Sequence, residues 1–194
     1  MKKEYKKTWD EATKKRWVST MQEHQDADRL EQGSWLGEKK DGLSSGCFFG
    51  CAMQTSVRPL EKAIEDMKLP AWLIYLAENI FEGLPREEAL TFPVRLLEVI
   101  PTDACIEDVR YKLAILRLKA LPKQECITRV IELHERWSSV TDDEWSSARS
   151  AARSAARSAA ESAARSAESA AWPAAEAAAW KTEANNLIKL LKKG

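Results

Sequence analysis

WSSARSAARSAARSAAESAARSAESAAWPAAEAAAW, residues 145–180, is the stretch whose reading decides the fold class. Of its 36 residues 17 are Ala, and a large side chain returns almost every fourth position: Trp145, Arg149, Arg153, Arg157, Glu161, Arg165, then Glu168 after a step of three, then Trp172, Glu176 and Trp180. Alanine loses no side-chain entropy on ordering and is the best helix former, so the tract is predicted helical in spite of its low complexity. At about 100° per residue a strict four-residue repeat advances by about 40° each time, and the large side chains wind slowly round the axis. Such a helix has no fixed apolar stripe. Its Ala and Ser flanks instead admit a second backbone closer than the usual ~8–10 Å, which makes it a packing rod with Arg, Glu and Trp at its edges. A solvated single helix held by Arg–Glu pairs is the plainer alternative, each pair contributing only about 0.2–0.5 kcal/mol.

Pro173 interrupts the rod and predicts a kink or restart near 169–173, since proline is tolerated in a first turn but not deeper in a helix. Beyond it Ala184, Leu187, Ile188 and Leu191 have helical spacing, and this closing amphipathic helix is expected to fold back onto the core.

Upstream, the chain reads as short helices punctuated by proline. Thr8 with Glu11 forms a capping box for a helix carrying Trp9, Ala12, Trp17, Met21, His24, Ala27 and Leu30, expected from about 9 to 32 and to stop at Gly33. Pro59 and Pro70 open two more helices, Pro85 and Pro93 mark two short turns, and Asp103 is placed to cap a helix through Val109, Leu113 and Leu116. Pro122 opens a helix with Cys126, Val130, Ile131, His134 and Trp137, and Thr141 with Glu144 makes a second capping box. No run alternates as a strand does. The expected fold is all-α, with residues 1–140 a helical core domain and 141–194 the Ala-rich helix plus its closing helix.

The charge is balanced, 30 basic against 30 acidic residues. That argues against a dedicated nucleic-acid binder, whose footprint is strongly basic. No apolar run reaches the roughly 18 residues a membrane span needs, and residues 2–16 are too polar for a signal peptide, so a cytoplasmic location is expected and no membrane partner. Cys47, Cys51, Cys105 and Cys126 then read as free thiols, although a Cys47–Cys51 bridge stays open.

Five of the seven glycines, Gly33, Gly37, Gly42, Gly46 and Gly50, fall in one long loop over 33–56. Loops of this length between helices usually carry function or are disordered. Here they adjoin His24, Asp28, Arg29 and Trp35 and contain the element Gly46-Cys47-x-x-Gly50-Cys51. Three functional readings compete with a structural one. Glycine N–H groups, Arg29 and Trp35 could cradle a phosphate-bearing ligand, with His24 and Asp28 on one helical face beside them. Cys47, Cys51 and His24 could bind zinc, though a lone Cys-x-x-x-Cys is a weak signal. Cys47 or Cys51 could be a nucleophile activated by His24 with Asp26 or Asp28 orienting the ring. In the structural reading both thiols are core residues and the glycines serve tight turns. No Walker-type loop, His-Glu-x-x-His or Gly-x-Ser-x-Gly occurs, so an enzyme has no motif to support it, and no cofactor is expected.

The run His24, Ala27, Asp28, Arg29, Leu30, Gln32, Gly33, Trp35, then Gly46-Cys47 and Gly50-Cys51, resembles a group of uncharacterised bacteriophage and prophage proteins. Ile80 to Pro85, Phe92-Pro93 through Ile100-Pro101, and the Ser-Ala-Ala-Arg, Ser-Ala-Ala-Glu and Ser-Ala-Ala-Trp units are similar to theirs. The resemblance covers most of the chain beyond about residue 20. It implies a phage accessory protein acting in the host bacterial cytoplasm, where such proteins often serve counter-defence, and it brings no activity with it.

The expected function is therefore a non-enzymatic accessory protein that binds and withholds a small nucleotide-like signal, or blocks a host defence protein. The expected ligand residues are His24, Asp28, Arg29, Gly33, Trp35, Gly46, Cys47, Gly50 and Cys51. A homo-oligomer is expected through Trp145, Arg149, Arg153, Arg157, Arg165, Trp172 and Trp180. The alternatives are a thiol- or metal-dependent hydrolase built on His24, Cys47 and Cys51, and a purely structural interaction protein.

Overall fold

The computed structural model describes residues 7–37, 39–40, 43–121, 123–148, 150 and 172–193. Among them the protein is all-α. The helices are Glu11–Asp26 (α1), Phe48–Met53 (α2), Pro59–Asp66 (α3), Ala71–Gly83 (α4), Arg86–Val99 (α5), Glu107–Lys119 (α6), Glu125–Glu135 (α7), residues 142–148 (α8) and Trp172–Leu191 (α9). Extended pairing among the described residues is confined to the two-residue antiparallel ladder Lys39–Lys40 with Leu43–Ser44 and a bridge between Leu30 and Gly46.

Contacts divide the chain into two compact units, Met1–Glu107 with Pro173–Gly194, and Asp108–Trp172. The division thus falls at 107/108, not at the composition change near 140. The closing helix belongs with the first unit, where Ala184, Leu187, Ile188 and Leu191 are all buried.

In the first unit α1 packs on α5 and α2, and α4 packs on α3 and α5. Trp17, Met21 and His24 form the buried side of α1, and α2 is buried along its whole length. Phe48 and Phe49 stack with ring centroids 4.1 Å apart, and burial of side chains of this size stabilises by about 1.5–3 kcal/mol each. Pro93 does not end a turn. It sits inside one continuous helix, α5, whose face Ala89, Phe92, Pro93, Leu96 and Leu97 is buried, and packing of that face offsets the backbone bond proline cannot donate.

Three capping positions differ from their sequence reading. Helix α1 begins at Glu11 because Asp10, not Thr8, accepts from the Thr13 N–H at 2.7 Å. Thr8 instead ties the N-terminal strap to 101–104: its hydroxyl donates to the Pro101 carbonyl at 2.6 Å and accepts from the Ala104 N–H. Helix α1 also ends seven residues before Gly33, at Asp26, where Asp28 takes a left-handed φ of 50°. Asp103, likewise left-handed, caps no helix; its N–H donates to the Trp9 carbonyl. Pro173 follows the first described residue of α9, Trp172, and the kink or restart expected near 169–173 falls mostly outside the described residues.

The second unit has its own small core of Val130, Leu133 and Ala148, with Leu118, Val140 and Trp145 against it. Tyr111 stacks on Trp137 at 4.7 Å, and His134 meets Trp145 edge-on at 4.8 Å. Thr141 and Glu144 form the expected capping box: the Thr141 N–H donates to Glu144 Oε2 at 2.9 Å, and the Glu144 N–H donates to Thr141 Oγ1 at 3.3 Å.

Candidate functional site

The glycine-rich loop is built by backbone hydrogen bonds. Gly46 donates to Arg29 O and accepts from Glu31, Gly37 donates to Ser45 O, and Cys47 donates to Ser34 O at 2.6 Å. The N–H of Gly50 is held by Cys47 Sγ at 3.4 Å, and that of Cys51 by the Cys47 carbonyl. These amides are committed to the fold, so a phosphate cradle made from Gly46, Cys47, Gly50 and Cys51 would first have to break it. A Cβ on Gly46 or Gly50 would also collide with the Trp35 carbonyl. Both glycines are there for a close backbone approach.

Cys47 and Cys51 are buried free thiols. Burial, helped by Glu78, raises the Cys47 thiol well above its ordinary range, and burial with Glu31 pushes Cys51 up to about 12. Both are therefore thiols and not the thiolates that nucleophilic attack needs. Cys51 Sγ lies 3.3 Å from Gly46 O and 3.4 Å from Arg29 O. His24 is also buried. Its Nε2 is 3.3 Å from Gln54 Nε2, its Nδ1 has no partner, and burial together with Arg29 lowers its pKa. Among the described residues, His24, Cys47 and Cys51 do not form one metal-donor group.

The other expected ligand residues are scattered. Asp28 is exposed beyond the end of α1, Arg29 is half-buried with its Nε unpartnered, and Trp35 is 44% exposed. Gly33 donates to Glu82 Oε2 at 2.7 Å. Of the expected interface residues, Arg149, Arg153, Arg157 and Arg165 lie outside the described residues, as does the side chain of Trp172. Trp145 belongs to the second unit's aromatic cluster, and Trp180 is half-buried, its ring seated on Gly83.

Two features emerge that the motif reading did not contain. The first gathers Cys47 with Glu78 and Glu82 of α4, their donor atoms all within 4.8 Å of one another. Gln32 secures this end of α4 by donating to the carbonyls of Phe81, at 2.7 Å, and Leu84, at 2.8 Å. Glu78 is only 5% exposed and its Oε2 has no hydrogen-bond partner. Burial raises its pKa to about 7, against the Cys47 hydrogen bond and with a contribution from Glu82. Among the described residues these three are the donor group that could hold a metal.

The second is a cleft of about 440 Å³ where α1, α2 and α3 meet, lined by Arg16, Trp17, Thr20, Ala52 and Asp66. The Arg16 guanidinium lies 4.5 Å from the centre of the Trp17 ring. Trp17 is 8% exposed and its Nε1–H has no partner. Lys62 holds Asp66 in an ion pair at 2.7 Å.

No protein-family model, curated protein or solved structure matches the chain. Among the described residues no helix is long and apolar enough to cross a membrane.

Proposed function

We propose that this chain is a phage-encoded, non-enzymatic counter-defence protein of the host cytoplasm that binds and withholds a small phosphate-bearing ligand in the cleft between α1, α2 and α3. The phage setting rests on the sequence resemblance, and homo-oligomerisation through residues 145–180 rests on the Ala-rich pattern alone.

The ligand site rests on one observation: an open cleft lined by Arg16, Trp17, Thr20, Ala52 and Asp66, with the Arg16 guanidinium over the Trp17 ring. Arg16 supplies a planar, permanently charged fork suited to phosphate oxygens. The Thr20 hydroxyl is a further donor. Asp66 would ordinarily repel an anion, but its pairing with Lys62 leaves it an acceptor for a sugar hydroxyl or exocyclic amine. The cleft volume falls within the ~300–1,000 Å³ of small-molecule sites.

Calorimetric titration with mononucleotides, dinucleotides and cyclic oligonucleotides tests this. Binding of at least one of them is expected, weakened about tenfold or more by Arg16→Ala and also by Thr20→Val, which keeps the side chain's shape and removes the hydroxyl. Absence of binding across the panel, or binding unchanged in both variants, would overturn the proposal.

A further inference from the structure

We propose that Cys47, Glu78 and Glu82 form a binding site for one divalent transition-metal ion of the zinc class, which clamps the glycine-rich loop to helix α4. The three donors come from two places in the chain: Cys47 caps the N-terminus of α2, and Glu78 and Glu82 stand four residues apart on α4. That spacing puts both carboxylates on one face of the helix. Their donor atoms and the thiol sulfur lie within 4.8 Å of one another. Ligands at ~2.0–2.3 Å from a tetrahedral ion lie about 3.3–3.7 Å apart, so the widest pair would close by at most about 1.5 Å, a shift the exposed Glu82 side chain can supply.

Three observations favour a cation over an ordinary buried cluster. Glu78 has an orphaned Oε2 in a residue that is almost wholly buried. A carboxylate in that position is costly unless something positive or a donor meets it. Among the described residues no basic side chain acts on Glu78, whose polar neighbours are Cys47, Glu82 and the backbone N–H of Phe49. Glu82, by contrast, is exposed, so the set opens to solvent on one side, giving an ion an entry path and water a fourth coordination position.

The support around the donors is that of a built site. The Gly33 N–H fixes one oxygen of Glu82 at 2.7 Å and leaves the other available. Gln32 holds the last turn of α4 in place by its bonds to Phe81 and Leu84. Such outer-shell bonds orient ligands for a metal. One thiolate with two carboxylates selects against magnesium and calcium, which take oxygen ligands only, and suits zinc or cobalt. Binding is a proton exchange: the ion displaces the thiol proton of Cys47, and the proton of Glu78 where that carboxyl carries one, to solvent. This site is independent of the ligand cleft and stands or falls without it.

The test is metal loading of the full chain, freed of metal by chelator and dialysed against zinc, with metal per chain read by mass spectrometry. Cobalt is then substituted as a spectroscopic probe. About one zinc per chain is expected, with a near-ultraviolet thiolate-to-cobalt charge-transfer band. Both should survive in the Cys105→Ser/Cys126→Ser double variant. The band should vanish in Cys47→Ser, and Glu82→Gln, an exposed change that leaves the core intact, should weaken zinc binding more than about tenfold, the loss already typical of outer-shell changes. Zinc far below one per chain, a band that persists in Cys47→Ser, one that disappears with Cys105 and Cys126, or zinc binding unchanged in Glu82→Gln would each overturn the proposal.

Discussion

The main-chain carbonyl of Trp35 occupies the space that a Cβ on Gly50 would take. This one contact explains why glycine stands inside a buried helix, where it is otherwise unfavourable. Gly50→Ala must push backbone against backbone, and neither α2 nor the loop can yield at the tip of a flexible side chain. A loss of about 3 kcal/mol or more is expected, beyond the ~1–3 kcal/mol of ordinary overpacking. Gly33 is the internal control: its φ of +79° strains any L-residue, but nothing lies within 4 Å of an added Cβ. Gly33→Ala should cost only about 1–2 kcal/mol. Urea midpoints of the two variants decide it; equal losses would mean the Trp35 carbonyl is not fixed against α2.

Gly83, the last residue of α4, carries the Trp180 indole of α9 on its bare Cα. Lys181 beside it pairs with Glu88 at 2.7 Å, so the end of α4 and the start of α5 together hold the closing helix. Gly83→Ala should displace the indole and weaken the seat of α9 by about 1–3 kcal/mol. Native-state hydrogen exchange gives the readout: amides around residues 180–191 should exchange faster while those of α1 do not. Unchanged protection in α9 would show that Ala184, Leu187, Ile188 and Leu191 hold it without Trp180.

What could be read from the sequence was local. The Thr141–Glu144 box, the opening of α3 at Pro59 and the stripe on α9 each depend on residues within a turn or two of one another, and each is present. The Asp10 cap was missed because Thr8 and Asp10 both have capping chemistry, and only the contact with Pro101 and Ala104 assigns Thr8 elsewhere. Glu78 left a signal that went unused: it falls on the same helical stripe as Leu73, Ile74, Ala77 and Phe81. A carboxylate on an apolar stripe is costly there, and that marks it. Its partner Cys47 is 31 residues away, and no local rule joins them. The break at 107/108 likewise reflects which segments pack together and not a change of composition.

The carboxylate of Glu144 is held at a pKa of about 2, below its ordinary 4.5, first by the Thr141 backbone N–H, then by Arg136 and the Thr141 hydroxyl. Arg136 Nη2 reaches Glu144 Oε1 at 2.6 Å. Because the folded pKa is the lower one, the stability this group contributes is fully present above 4.5 and is lost as pH falls through about 2. Carbon-detected NMR titration should place its midpoint near 2 and move it up toward 4.5 in Arg136→Gln/Thr141→Ala. A midpoint already at the ordinary value in the unaltered chain would contradict the capping-box account.

His24 works in the opposite part of the pH scale. Burial and the Arg29 charge lower its pKa from 6.5, so the folded state prefers the neutral ring. Gln54 Nε2 donates to Nε2, which leaves the Nδ1 proton without an acceptor, and a second proton would add a charge to a site 3% exposed. The unfolded chain binds that proton first, so stability present above 6.5 falls as the pH drops below it and goes on falling until the folded pKa is reached. His134, in the second unit, shifts the same way for the same reason, with Arg110 in the place of Arg29. Urea unfolding from about pH 7 to about pH 5 should therefore show a declining midpoint, and His24→Gln, which carries no titratable proton, should flatten that decline. The His24 ring carbon resonance is the direct readout: titration at or above 6.5 would mean that the imidazole accepts its charge without cost and that Gln54 and Arg29 do not constrain it.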